Sequence, residues 1–456
     1  MAVKVPTAGF FRSLLFRIGF DSVAADMQNA LDADANKWGR LRSDIGAILF
    51  LAGLCVAAYL PSFNNGFISD DYVILGRLDS LQHDFLYLCS IPPECFRLTS
   101  YVFFGILRYL FGYHAEWYYA FNLLLHFVNS VLLWKLLTRV TRSSQLGFLA
   151  AVLFAAIQGH QEAIMWLAAM NETLLGLCLL VCLLLWEKGL PAWGSLPYVA
   201  GLFSKESAIV FLALLPLLER RSRGSLRCHR GYLLLLGISG AFGILFYLLT
   251  AENFMLGTGT YAFGFQAVPV FLVSLHRLMF PWVYLAIILR LLRHRRWHDL
   301  KPAGWGLSFA AIALLPYIFL TYQVHVASRQ EYMASMGIAW ALAILIQGLD
   351  SRVMRTTFIF TFIVANIGYI WIKDKQFEQR AAPTNRLIEQ LKSHAPQDVA
   401  IIDFPANPWI AKNAARMVPG WQPEMIHVDP PASECSTCLG LRWDPRNESY
   451  SEIHRQ

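Results

Sequence analysis

Between residues 45 and 372 the chain alternates long apolar runs with short loops that hold most of its arginines, and this alternation restricts the fold more than any other feature. The runs 45–60, 232–250 and 356–372 contain no Asp, Glu, Lys or Arg. In hydrocarbon a backbone must satisfy its own polar groups, so such runs, with their flanks, read as membrane-spanning helices. Composition agrees: 56% of residues are hydrophobic and 15% charged, and the mean hydropathy is +0.44, outside the range of ordinary soluble domains. The lipid bilayer is therefore the first expected partner. The net charge of +7 does not imply nucleic acid, because the basic residues sit in loops between apolar runs rather than on one basic face.

The distribution of arginine sets an orientation. Lys4, Arg12, Arg17, Lys37, Arg40 and Arg42 precede the first run, which makes residues 1–44 a cytoplasmic amphipathic segment, with 10–20 on the membrane surface. A first outer loop, 61–117, follows. Further spans are read at 117–137, 146–157, 163–186, 232–250, 267–289, 305–320, 332–349 and 356–372. The stretch 190–218, broken at Ser204-Lys205-Glu206-Ser207, reads as a tight pair of short helices with Lys205 and Glu206 at the outer turn, the alternative being one helix with a buried Lys-Glu pair. The total is about eleven spans, and every strong arginine cluster, such as Arg220 to Arg230 or Arg290 to Arg296, falls inside. Residues 373–456 then lie outside, and the apolar stretch at 399–402, bounded by turn residues, reads as a strand of a small extracytoplasmic α/β appendage.

Of the eight cysteines, Cys55, Cys178 and Cys182 lie in apolar runs and read as small core residues. Cys89 with Cys95, and Cys435 with Cys438, suit loop disulfides on an oxidising side; zinc at the single CxxC lacks a second ligand pair.

On this topology the outer side gathers Asp70, Asp71, Arg97, His160, Glu162, Lys205, Glu206, Arg329 and Glu331. Two adjacent carboxylates just past a membrane helix, Asp70 and Asp71, are the candidate catalytic groups. A carboxylate there can take a proton from a hydroxyl or hold a divalent cation, while Lys and Arg neutralise a phosphate. His160 and Glu162 are candidate metal ligands. Arg97, Lys205, Glu206, Arg329 and Glu331 are candidate substrate-binding residues. A transporter is the rival class, and would hold such charges near the bilayer midplane between inverted repeats, of which the sequence has none evident.

Several segments carry a resemblance in their order. The acidic pair after the first span is followed by Arg97-Leu98-Thr99, by a short apolar helix ending Tyr109-Leu110-Phe111-Gly112, and by Trp117 to His126. Then come Gly159-His160-Gln161-Glu162-Ala163, Asn171-Glu172-Thr173-Leu174-Leu175, Ser204-Lys205-Glu206 and Ser328-Arg329-Gln330-Glu331-Tyr332. Over roughly residues 45 to 350 this resembles the GT-C membrane glycosyltransferases, and within them the protein O-mannosyltransferase-like branch, including members that bear TPR repeats. The resemblance implies an all-α polytopic GT-C fold and an inverting enzyme. Its donor would be a polyprenyl-phosphate sugar and its acceptor a protein or glycan hydroxyl, with either Asp70 or Asp71 as base. It allows a divalent metal ion but does not require one. A bacterial inner membrane is the expected location, the endoplasmic reticulum the alternative. Leu98 and Gln161 stand where that branch has proline, Asn171-Glu172 replaces its Arg-x-Asp, and TPR repeats are absent. These departures leave sugar and acceptor open and keep a noncatalytic glycolipid-binding relative in view.

Overall fold

The computed structural model describes residues 44–81, 86–87, 94–223, 229–249, 259–294, 300–321, 323–431, 435 and 438–453. The segment expected at the N terminus, save Asp44, lies outside the described residues, as does Cys89. The chain divides into a unit ending at Gly53 and one from Leu54 to Gln456; the first part of the helix Asp44–Asn64 lies in the former and the site described below lies wholly in the second.

The protein is mostly helical, with helices where the apolar runs are. In order they are α1 (Asp44–Asn64), α2 (Asp70–Leu81), α3 (Leu98–Phe111), α4 (Ala115–Thr141), α5 (Ser144–Ala156) and α6 (Met170–Glu187). There follow α7 (Pro191–Leu202), α8 (Phe211–Arg223), α9 (His229–Leu249), α10 (Ala267–Met279), α11 (Trp282–His294), α12 (Ala303–Leu314), α13 (Tyr332–Gln347) and α14 (Arg352–Ser393). Among the described residues, five helices are long and apolar enough to cross a membrane, or six if the bent pair α10 and α11 makes one span.

That number is well short of the eleven or so apolar runs. The reason is that a run's apolar length is not its helical length: α5 has 13 residues, only about 20 Å, and gives way at Ile157 to a series of tight turns. The stretch 190–218 does form two helices, α7 and α8, joined through the 3₁₀ turn Glu206–Val210.

The helices approach closely where their side chains are smallest. Gly306 of α12 faces Gly337 of α13, and a Cβ on Gly337 would lie 2.5 Å from the Ala310 nitrogen and 2.6 Å from the Gly306 oxygen. Small-residue contacts of this kind replace hydrophobic collapse inside a bilayer. Gly337→Leu is expected to force the two helices apart at a cost of about 1–3 kcal/mol or more, read as a lower melting temperature and a broadened gel-filtration peak in detergent.

The C-terminal part begins without a break. Helix α14 runs through residue 372, where the sequence had suggested a boundary, and ends at Ser393. Beyond it are β1 (Val399–Ile402), α15 (Pro408–Ala415), β2 (Ile426–Val428), β3 (Leu439–Asp444) and β4 (Ser449–Ile453). The sheet order is β2-β1-β3-β4, with β1 parallel to both neighbours and β3 antiparallel to β4. Cys435 and Cys438 form a disulfide just before β3.

This appendage shares its core with the helices that frame the site. Val399, Ile401, Ile410, Ala414, Ile426 and Leu441 belong to one apolar cluster with Tyr72, Leu75 and Leu78 of α2 and Tyr101 and Phe104 of α3. At Gly76 a Cβ would meet the Asn413 side chain, so α15 lies close against α2 there.

Candidate active site

The loop after α1 is held in place before α2 begins. Ser62 Oγ and Asn65 Nδ2 both donate to Asp374 Oδ1 at 2.9 Å, and Tyr119 OH donates to the Gly66 oxygen at 3.0 Å. Ser69 takes a left-handed φ of 49°, which turns the chain into α2.

The first two residues of α2 have different jobs. Asp71 is 2% exposed; its Oδ2 accepts from the Ile68 nitrogen at 2.8 Å and its Oδ1 from the Ala168 nitrogen at 2.6 Å. The first of these bonds closes the helix start by reaching back three residues, and the second ties α2 to the turns before α6. Burial nonetheless pushes its carboxyl well above the usual range, against the two backbone donors that oppose the shift. Asp70 is exposed and opens into a cavity of about 390 Å³. The same cavity takes Val73, Ile74 and Arg77 from α2. Those four positions, spaced i, i+3, i+4 and i+7, form one face of a helix.

Other segments complete the cavity, among them the two that pair at Tyr261 and Leu320. Arg97 comes from just before α3 and Ser100, Tyr101 and Phe104 from α3 itself, while Trp166, Ala168 and Ala169 come from the turns leading into α6 and Asn171 from its first turn. Lys205 and Glu206 come from the turn between α7 and α8, and Arg329 and Gln330 from the 3₁₀ turn Ser328–Glu331 before α13. Direct bonds set these segments against one another. Thr99 N and Oγ1 donate to the Phe203 and Ala200 oxygens at 2.9 and 2.8 Å, and Arg77 Nη1 donates to Tyr101 OH at 3.2 Å.

Lys205 is fixed from beneath. Its ammonium pairs with Glu172 Oε1, Tyr317 OH donates to Glu172 Oε2 at 3.0 Å, and Ser207 Oγ lies 2.7 Å from Tyr317 OH. Glu172 is fully buried and Lys205 is 6% exposed, so this is a buried ion pair with one side open to the cavity. Arg329 is placed by Glu162, 3.4 Å from Oε2, and lies over the Trp166 ring at 4.8 Å.

The structure thus brings Asp70, Arg97, Lys205, Glu206 and Arg329 to one cavity and leaves the remaining sequence candidates off its walls. Asp71 faces backbone donors. Glu331 is 1% exposed and faces Arg277 at 3.7 Å. His160 is fully buried, with neither ring nitrogen hydrogen-bonded, among Phe154, His126 and Tyr332, whose ring centroids lie 4.9, 5.1 and 4.9 Å away. Glu162 turns to Arg329, so His160 and Glu162 do not meet as a ligand pair. Among the described residues, the trio of His, Cys, Asp or Glu ligand atoms that converges within 4.8 Å is His427, Cys435 and Cys438 in the appendage, where the two sulfurs are already joined.

Arg77, Tyr101, Trp166 and Glu172 are not among the site residues expected from the sequence, although Glu172 stands in the Asn171-Glu172 segment that carries the resemblance. Arg77 carried a signal, its seven-residue spacing from Asp70. Glu172 is marked by its segment but not by its role, since the partner that sets that role, Lys205, is 33 residues away.

Glu331 gives a pH test. Burial, opposed by Arg277 and reinforced by Glu162, raises its carboxyl to about 8. The folded chain then holds a proton that the unfolded chain releases near pH 4, so stability falls as pH climbs from there to about 8. Glu331→Gln keeps the neutral shape. It is expected to match the parent's melting temperature below about pH 4 and to exceed it above pH 8, by an amount that corresponds to a few kcal/mol, on the order of 1.4 kcal/mol for each pH unit by which the carboxyl is raised.

No protein-family model matches the chain, and no curated protein matches it. Among solved structures, the chain is similar to the Archaeoglobus fulgidus oligosaccharyltransferase tethered to an acceptor peptide containing the NVT sequon through a disulfide bond, with 11% identity and a TM-score of 0.45. The similarity covers 85% of this chain and 65% of that one, so the chain spans less than two thirds of the neighbour's length.

Proposed function

We propose that the protein is an inverting GT-C-type glycosyltransferase that moves a sugar from a polyprenyl-phosphate donor to a hydroxyl of a protein or glycan acceptor. One observation carries the reading: the exposed carboxylate of Asp70 shares a cavity with Lys205, Arg97 and Arg329, each on a different segment. Asp70 takes the acceptor's hydroxyl proton as that oxygen attacks the anomeric carbon. The bond from that carbon to the phosphate oxygen breaks on the opposite face, and its electron pair leaves with the phosphate. Lys205 and Arg329 receive the growing negative charge. Asp71 acts through position, holding the start of α2 so that Asp70 faces the cavity.

The site is built from turns at helix ends, whereas a carrier would hold its charges part-way along its spans. The opposite helix ends carry Arg139, Arg220, Arg221, Arg223, Arg352 and Arg355. By the positive-inside rule the cavity faces the extracytoplasmic side.

Mass spectrometry of lipids that co-purify with the full chain tests the reading. A prenyl-phosphate sugar is expected, and incubation with a mixed acceptor pool should release the free prenyl phosphate. A bound lipid without phosphate, or a prenyl-phosphate sugar that stays intact with every acceptor, would sink it.

A further inference from the structure

The donor's phosphate is usually accommodated in one of two ways, by a divalent cation on carboxylates or by basic side chains, and this cavity is equipped for one of them. Its walls carry two carboxylates, Asp70 and Glu206, against four basic side chains, Arg77, Arg97, Lys205 and Arg329. The nearby acids that could complete an oxygen cage are committed elsewhere. Asp71 serves two backbone N–H groups, Glu162 serves Arg329, and Glu172 serves Lys205 and Tyr317. Among the described residues no trio of His, Cys, Asp or Glu ligand atoms converges at the cavity. A hydrated dication can be held by one or two carboxylates and the substrate's phosphate; here the two carboxylates that face the cavity, Asp70 and Glu206, share its wall with four basic side chains, whose charge opposes a cation and suits the phosphate itself.

Glu172 is the telling residue. It sits in the first turn of α6, fully buried, where a carboxylate could have faced a metal, and the Lys205 ammonium occupies its Oε1 instead. The ammonium has three N–H groups and spends one on Glu172, leaving the others for a ligand on the cavity side.

Resting on the glycosyltransferase reading, we infer that the Lys205 ammonium, positioned by Glu172, takes the place of a divalent metal ion and binds the donor phosphate directly, so that donor binding is independent of metal. Lys205 is the contact and Glu172 the positioning residue.

The test uses the full chain in detergent and farnesyl phosphate as probe, with its dissociation constant measured in EDTA and then in millimolar Mg²⁺ or Mn²⁺. The expected result is the same constant within about twofold under all three conditions, because no coordination bond is involved. Lys205→Gln should weaken binding about tenfold or more with and without metal, the loss of one charge-assisted bond to phosphate. Mn²⁺ titrated alone against the wild-type chain, followed by electron paramagnetic resonance, should show no stoichiometric site sensitive to Glu206→Gln.

The outcomes separate the two claims. Binding that disappears in EDTA and returns with Mg²⁺ or Mn²⁺ overturns the inference while leaving the glycosyltransferase reading intact. So does a tight Mn²⁺ site that Glu206→Gln removes. Failure of farnesyl phosphate to bind under any condition overturns both. The metal arms use wild-type protein, so they decide metal dependence even if Lys205→Gln does not fold; a folded Lys205→Gln that binds farnesyl phosphate as the wild type does overturns Lys205 as the contact.

Discussion

Asp70→Asn is expected to lower sugar transfer by about 10²–10⁴-fold, the usual contribution of a positioned general base, with no change in melting temperature. The amide keeps the shape of the carboxylate and loses the ability to take a proton. Asp70 is exposed, and Ser69 Oγ donates to its Oδ1 over a long 3.5 Å, so little of the fold depends on its charge. The donor's KM should stay within a few-fold of the parent, because the loss falls on the chemical step. Asp71→Asn should behave in the opposite way. An amide can satisfy one of the two backbone donors, at Ile68 and Ala168, and must turn its own NH₂ toward the other. A buried mismatch of that kind costs about 1–3 kcal/mol, seen first in the melting temperature. Initial rates across a donor series and thermal unfolding of the two variants together decide the point. Equal, modest losses of activity in both would remove Asp70 from the role of base.

The difference between those neighbours shows where the sequence could be read and where it could not. The acidic pair stood out because carboxylates are costly beside a membrane helix. Its division of labour did not, since that depends on a helix beginning at Asp70 itself and on the Ala168 nitrogen arriving from nearly a hundred residues away. The same holds for the basic residues. Lys205 and Arg329 were visible as isolated charges in polar turns between apolar runs, and their segments do meet. Glu331 was equally visible and turned inward, because the short 3₁₀ turn that aims Arg329 at the cavity rotates Glu331 toward Arg277. His160 suggested a ligand by its type and neighbours, yet its side chain points into an aromatic cluster formed by α4, α5 and α13. Linear spacing reports which residues share a loop; the turn geometry that sorts cavity from core is written in long-range bonds.

Lys205→Met is expected to give the largest loss of stability of any single change at the site, about 3–5 kcal/mol. The thioether has nearly the length of the lysine stem, so the cost is not a cavity. It is the Glu172 carboxylate left with no exposure to water and only the Tyr317 hydroxyl as partner. The cost should therefore be refunded by neutralising that carboxylate. In the double variant Lys205→Met/Glu172→Gln the amide can still accept from Tyr317, and most of the lost melting temperature should return, since a buried pair replaced as a unit is often close to neutral. Transfer should not return, because the cavity still lacks the ammonium. That separation of stability from activity is the result to look for: a double variant as unstable as Lys205→Met alone would mean that packing around the lysine stem, rather than the Glu172 charge, holds this corner of the site together.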